Sequence, residues 1–310
     1  MLPLLVITNV KNSAKSVKTN VINHENKIMN KIEQIEFIEK NYKFSSGIHS
    51  NRRVRQNFFE KIETEMQAYL LGFYAADGNI NEKRKTFRIH LQKSDSELVY
   101  LYKDMISPDA RLFTMKERNV KGRNGQIVTA HESIGVDINS SKLCTDLVNL
   151  GFGYKKTYDE LHLPNIDTSL IRHFIRGYFD GDGSICYCYC KPDLKWHKNE
   201  RIRGQVSICG KTKTILEEIQ KFLKTNNIES SMCFANRDKM WILTVPKSQL
   251  KKLYNLFYDD SYFYLSRKFN KFNYYVNTEE SQLIADLRNA QGMSASNSNN
   301  SPTSVEHPTE

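Results

Sequence analysis

Tyr69-Leu-Leu-Gly-Phe-Tyr-Ala-Ala-Asp-Gly78 and Phe174-Ile-Arg-Gly-Tyr-Phe-Asp-Gly-Asp-Gly183 are two versions of one pattern: an apolar helical stretch, an internal glycine and a closing Asp-Gly. They lie roughly 100 residues apart, the length of a small domain. A pattern that recurs at this spacing predicts a duplicated unit, and the segments C-terminal to the two copies are alike as well.

After the first copy, a polar turn over residues 79–85 leads into Thr86-Phe-Arg-Ile-His-Leu-Gln92. Its strict alternation predicts a half-buried strand with Phe87, Ile89 and Leu91 inward and Arg88, His90 and Gln92 outward. After the second copy, Arg203-Gly-Gln-Val-Ser-Ile-Cys209 runs in the same phase, with Val206 and Ile208 inward and Gln205, Ser207 and Cys209 outward. Each strand leads into a helix, the first opening on the capping box Ser94-Asp-Ser-Glu97 and the second on Thr212 as N-cap. Two more strands and a helix complete each half, over 111–116, 129–138 and 141–150 in the first and 231–235, 240–245 and 247–257 in the second. The expected fold is therefore α+β, two pseudo-symmetric αββαββα repeats.

The chain divides into a basic N-terminal extension (1–57), a first repeat (58–165), a second repeat (166–278) and a C-terminal piece (279–310). In the extension, Ile28, Ile32, Ile35 and Ile38 recur at helical spacing and predict a helix over 26–39. The basic cluster Asn51-Arg-Arg-Val-Arg55 behind it reads either as a DNA-gripping arm or as a solvated linker. From Gln291 onward almost no large apolar side chain occurs, which predicts a flexible tail.

Forty-five Lys and Arg against 35 Asp and Glu give a net charge of +10 over 310 residues. Such a balance favours a polyanionic partner, nucleic acid or an anionic membrane surface. No apolar run approaches the roughly 18 residues of a membrane span, and Met1 to Val10 lacks the basic region and cleavage site of a leader. The six Cys have no framework spacing and fit a reducing compartment, the cytoplasm or an organelle matrix. Cys186, Cys188 and Cys190 alternate along one strand, the spacing of a strand face and not of a structural zinc site.

Both closing aspartates sit where a helix least favours them. Asp77 and Asp182 occupy the last turn before a glycine, where partial negative charge and unsatisfied carbonyls disfavour an acid by up to about 1 kcal/mol. The mid-helix glycines, Gly72 and Gly177, each cost about 1 kcal/mol relative to Ala, so close helix packing is expected there. Packed side by side through Gly72, Ala75 and Ala76 against Gly177 and Gly181, the two helices end together and bring Asp77 and Asp182 into neighbouring positions. With the last-turn carbonyls of Ala76 and Gly181 they form an oxygen-rich, anionic pocket of the kind Mg²⁺ or Mn²⁺ requires. The outward basic and polar residues then form a surface for double-stranded DNA: Lys83, Arg84, Lys85, Arg88 and His90, with Arg118, Lys121 and Arg123 on a hairpin whose tip carries Asn124-Gly125. In the second half Lys195, Lys198, Arg201, Arg203, Gln205 and Ser207 are the counterparts.

At Leu70 to Gly78 and Ile175 to Gly183 the sequence resembles the LAGLIDADG homing endonucleases, the single-chain type with two motif copies. The likeness runs from about Phe58 to Val276 and includes Leu163-Pro164 and Leu265-Ser-Arg-Lys-Phe269. It implies saddle-shaped antiparallel sheets on DNA, and a monomer that cuts both strands of a long pseudo-palindromic site and leaves short 3′ overhangs. It also implies metal at Asp77 and Asp182 and catalytic support from Gln92 and a lysine of each half, Lys156 and Lys268. Cys209 stands in for Gln92 in the second half on this reading, so unequal half-sites are expected. On the same fold an intron RNA maturase, binding host intron RNA, and a non-catalytic DNA-binding regulator are the alternative functions.

Overall fold

The computed structural model describes residues 29–47, 50–122, 125–153, 160–192 and 198–298. Arg123, Lys156 and Lys195, three of the expected site residues, lie outside them. The first elements are α1 (Lys31–Asn41), β1 (Ser45–Gly47) and β2 (Ser50–Val54), succeeded by the first motif helix, α2 (Glu65–Asp77). The rest of the first half is β3 (Asn79–Asn81), β4 (Thr86–Gln92), α3 (Ser96–Ile106), β5 (Leu112–Met115), β6 (Arg118–Lys121), β7 (Ile127–Ala130), β8 (Ser133–Asn139) and α4 (Ser141–Asn149). The second half comprises α5 (Thr168–Asp182), β9 (Gly183–Cys190), β10 (Arg201–Gly210), α6 (Thr214–Thr225), β11 (Ser231–Ala235), β12 (Met240–Pro246) and α7 (Leu250–Tyr258). Helices α8 (Ser266–Asn277) and α9 (Glu280–Ser298) come last.

The fold is α+β. Each half builds a four-stranded antiparallel sheet, in the order β3-β4-β8-β5 and β9-β10-β12-β11. Counted within each sheet, both orders are first, second, fourth, third, as a duplication requires. The alternation of Thr86 to Gln92 holds: Phe87, Ile89 and Leu91 are buried while Arg88, His90 and Gln92 are exposed.

The two motif helices form the centre. Residues Glu65 to Ala75 of α2 are buried without interruption, the signature of a helix surrounded on all sides. It packs on α5 so closely that a Cβ on Gly72 would stand 1.9 Å from the carbonyl oxygen of Phe174, and one on Gly177 would stand 2.0 Å from that of Tyr69. Backbone meets backbone at both glycines, and no other residue fits.

Several local expectations are overridden by tertiary contacts. The capping box at Ser94 does not form: a 3₁₀ turn over Lys93–Asp95 precedes α3, and neither Asp95 nor a neighbour caps it through a side chain. Asp95 instead pairs with Arg267, at 2.5 and 2.7 Å, from the other half. Thr212 does not cap α6 either; the helix starts at Thr214, and the buried Thr212 hydroxyl has no partner. The cluster at 51–55 is not a solvated linker, since Ser50–Val54 form β2. Arg53 makes a bidentate pair with Asp109, and Arg55, buried, donates to the carbonyls of Tyr42 and Met105 and lies over the Phe44 ring. At the C-terminal end, the helical backbone of α9 continues to Ser298, past the point where the tail was expected to begin. Ala, Gln and Met in 289–296 are good helix formers, so a shortage of large apolar residues does not end the helix.

The halves differ in their ribbons. In the first, β6 and β7 carry the β5–β8 pairing outward in one register, from Met115 opposite Ser133 to Lys121 opposite Ile127. In the second, β11 and β12 close directly after Ala235 opposite Met240. The opposite sheet edge reverses this, since β9 and β10 pair over eight positions and β3 and β4 over three.

Gly177→Ala tests the helix contact. Intrinsic propensity favours Ala by about 1 kcal/mol, yet a methyl driven against backbone should cost about 3 kcal/mol or more. A lower thermal unfolding midpoint is therefore expected, and an unchanged or raised midpoint would show that the helices do not meet there.

Candidate active site

The motif helices end at Asp77 and Asp182, and each chain turns straight into a strand. The capping glycines do not serve a left-handed conformation, because Gly78 (φ −73°) and Gly183 (φ −97°) are both extended. Their need is for space: a Cβ on Gly78 would stand 2.0 Å from the Tyr74 ring, and one on Gly183 would stand 2.2 Å from the Phe179 ring. The aromatic residue four places earlier thus lies under the turn and aims the strand away from the helix end.

Asp77 and Asp182 are both exposed. A Cβ on Gly181 would be 2.3 Å from the Ala76 Cβ and 3.1 Å from Oδ2 of Asp77, so the first carboxylate lies against the last turn of the second helix. The buried Tyr178 hydroxyl feels both acids, its pKa raised by burial first, then by Asp182 and Cys209 and more weakly by Asp77. Beside Asp182 opens a cleft of about 240 Å³, lined among others by Ala76, Tyr178, Cys209 and Lys211.

Lys268 reaches this place from α8. It is only 6% exposed, and its ammonium donates to the carbonyls of Phe179 (2.8 Å), Gly183 (2.6 Å) and Gly181 (3.3 Å). A cation thus lies at the carbonyls and negative end of α5. Burial lowers its pKa to about 8, against the opposing pull of Asp180, Asp77 and Asp182.

Asp180 is the residue that sequence reasoning passed over. It is 1% exposed, accepts hydrogen bonds from Tyr69 Oη (2.9 Å) and Leu265 N (2.8 Å), and leaves Oδ1 without a partner. Burial pushes its carboxyl up to about 6, although the Leu265 N–H, Lys268 and the Tyr69 hydroxyl all favour the charged form. The only signal was the mismatch with Ala75 in the first motif. A second unanticipated group lies at the other end of the helix pair. There the fully buried Arg176 donates to Glu65 at 2.6 Å and to the carbonyls of Phe257 and Phe263. His173 beside it is lowered to about 2 by burial and by the adjacent Arg176 and Arg172, so it accepts from Arg176 as a neutral ring.

Strand register corrects one equivalence. Asn79, two residues past Asp77, pairs with Arg88, and Ser184, two residues past Asp182, pairs with Ser207. Counting outward, the counterpart of Cys209 is His90, while Gln92 corresponds to Lys211. Cys209 adjoins the site, its thiol pushed up by burial and then by Asp182. Gln92 is exposed at the far end of β4. Sequence phase alone could not detect this shift, because a two-residue displacement leaves every side chain on the same face.

Among the expected DNA-facing residues, Lys83, Arg84 and Lys85 are exposed in the β3–β4 turn, Arg118 and Lys121 on the first ribbon, and Lys198, Arg203 and Gln205 in the second half. Arg88 is exposed but held by a bidentate pair with Asp137, and His90 is bonded to Ser133 at 2.9 Å. Arg201 is half-buried, and Ser207, 8% exposed, is covered by Gln205, whose amide lies 3.3 Å from its hydroxyl. Cys186 and Cys188 are exposed, and no group of three or more His, Cys, Asp or Glu among the described residues could hold a metal ion. A hard cation would therefore rely on two carboxylates and on backbone carbonyls such as those of Ala76 and Gly181. The absence of a Cβ at Gly181, which lets the Asp77 carboxylate approach, fits that donor set.

Residues 64–134, which span the first motif helix and most of the first sheet, match the family model described as a LAGLIDADG-like domain. The comparison with curated proteins found no match. Among solved structures, the LAGLIDADG meganuclease I-AabMI bound to uncleaved DNA is 13% identical with a TM-score of 0.46, over 72% of this chain and 91% of that one. The homing endonuclease I-WcaI bound to its DNA recognition sequence is 13% identical with a TM-score of 0.44, over 69% and 91%. I-DmoI in complex with DNA and Mn is 17% identical with a TM-score of 0.36, over 64% and 98%. No helix among the described residues is long and apolar enough to cross a membrane.

The end of α5 offers a direct check on the Lys268 environment. In a side-chain NMR titration its ammonium should lose its proton near pH 8 and not near the usual 10.5. A midpoint close to 10.5 would mean that the amine is solvated and does not cap α5.

Proposed function

We propose that this chain is a site-specific endonuclease of double-stranded DNA, acting as a monomer, with Mg²⁺ or Mn²⁺ held by Asp77 and Asp182. The observation that carries this reading is the Asp77 carboxylate lying against Gly181, one residue before Asp182, at the joined negative ends of two helices. Two acids placed there are mutually repulsive and disfavoured by both helix dipoles, and a divalent cation reverses both penalties. When bound, such an ion neutralises charge on the scissile phosphate and lowers the pKa of attacking water.

The chain's own residues have separable tasks on this reading. Asp77 and Asp182 hold the ion, helped by the carbonyls of Ala76 and Gly181. Lys268 steadies the turn that carries Asp182 and adds positive charge beside the phosphate. Exposed Lys83, Arg84, Lys121, Lys198 and Arg203 contact phosphates and set register on the duplex, while Gln205 reads base edges. Lys156, Lys195 and Arg123 belong to the same proposal from the sequence alone. The unequal ribbons support half-sites of unequal length, so the pseudo-palindrome implied by the repeat would be imperfect. Short 3′ overhangs remain part of the proposal through the family resemblance.

Selection from a randomised duplex library with Mg²⁺ should yield cleaved sites for the parent protein. Asp77→Asn and Asp182→Asn should still bind the selected duplex but lose cleavage by more than about 100-fold, the upper end of what losing a second-sphere partner costs a metal site. Undiminished cutting by either variant would refute the metal assignment. Binding of intron RNA with no cleavage of any duplex would favour the maturase. A separate expectation concerns the basic face: Arg203→Ala should weaken binding evenly across sequences and lower the salt slope of log Kd by about 1. A change confined to one base position would mean that Arg203 reads sequence.

A further inference from the structure

We propose that Asp95 and Glu97 of the first half are positioning residues that latch the second half's Lys268 onto the turn bearing Asp182. The inference rests on the nuclease reading of that turn, and it starts from the path of residues 262–268. Almost every step of this strap is held by a carboxylate. Glu65, at the start of α2, accepts from the N–H groups of Tyr262 (2.7 Å) and Phe263 (3.1 Å). Asp180 accepts from Leu265 N (2.8 Å). Glu97 accepts from Ser266 N (2.7 Å) and Ser266 Oγ (2.6 Å), and Asp95 takes the Arg267 guanidinium in a bidentate pair. The next residue is Lys268, whose ammonium reaches the three carbonyls around Asp182.

Three of these four acids come from the first half. Glu97 belongs to the Ser94–Glu97 capping pattern of the sequence, and both it and Asp95 are turned from the start of α3 to the strap. An exposed ion pair on its own is worth little. Asp95, however, has only 10% of its side chain exposed, and a bidentate guanidinium pair fixes orientation as well as distance. The latch therefore sets where α8 begins and how Lys268 enters the helix end. Misplacement by about 1 Å near reacting groups can cost on the order of 100-fold in rate. Because the latch acts on the turn of Asp182 alone, its loss should unbalance the two strands.

The test uses the full-length protein and an end-labelled duplex, with each strand's cleavage measured separately. Asp95→Asn with Glu97→Gln, and independently Arg267→Met, should slow one strand about 10-fold or more relative to the other, so that nicked duplex accumulates. Binding in the absence of metal should not change. Combining Asp95→Asn with Arg267→Met should add little to either alone, since both remove one interaction. Equal slowing of both strands, or full additivity of Asp95→Asn and Arg267→Met, would overturn the proposal. A parent protein that cuts no duplex would sink the nuclease reading instead. In that case, amide hydrogen exchange over residues 262–268 still decides the latch: Asp95→Asn should accelerate it there, and unchanged exchange would mean that the strap does not depend on Asp95.

Discussion

Two backbone-to-backbone contacts, Gly72 against the Phe174 carbonyl and Gly177 against that of Tyr69, govern the rest of the molecule. They let α2 and α5 approach closer than any side chain would allow, so both helices end at one level and both halves deliver their acids to one place. The sheets then inherit their position, because β3 and β9 begin within two residues of those ends. The proposed centre draws one acid from each half, so it depends on this close contact.

The surroundings of the helix pair show how an apolar core tolerates charge. Glu65, Arg176, Asp180 and Lys268 are all under 9% exposed and lie along the interface between the halves. Their partners include backbone groups of residues 257–265, held by Glu65, Arg176 and Asp180, and the carbonyls of Phe179, Gly181 and Gly183, held by Lys268. Buried ionic networks of this kind specify geometry more surely than they add stability. Asp180 Oδ1 lacks a partner, as does the Tyr258 hydroxyl, and burial raises the Asp180 carboxyl's pKa.

Duplication has produced likeness at the centre and divergence at the edges. The motif glycines, the closing acids and the strand order correspond between the halves. The ribbons do not: the first half extends β5 and β8 outward, and the second extends β9 and β10. The small side chain of Cys188 is exposed beyond the point where β3 ends in the first half, since Cys186 already corresponds to Asn81, the last residue of β3. Ribbons are free to vary because they project from the sheets without entering the core, whereas a change at the helix contact alters both halves at once.

Periodicity and repetition in the sequence were sufficient for the α+β class, the two motif helices, the alternation of Thr86 to Gln92 and the meeting of glycines around Asp77 and Asp182. Each of these is a local pattern whose period or repeat directly reports which face is buried. What the tertiary structure alone decided involves partners remote along the chain: Asp95 and Glu97 taken from a helix cap by Ser266 and Arg267, Arg53 and Arg55 anchored to Asp109 and Met105, and Asp180 buried against Leu265. It also decided register, bringing His90 and not Gln92 into correspondence with Cys209, because strand phase repeats every two residues and only cross-strand pairing counts them. Local physics writes an element into its own residues, but a long-range partner is chosen by where the whole chain folds.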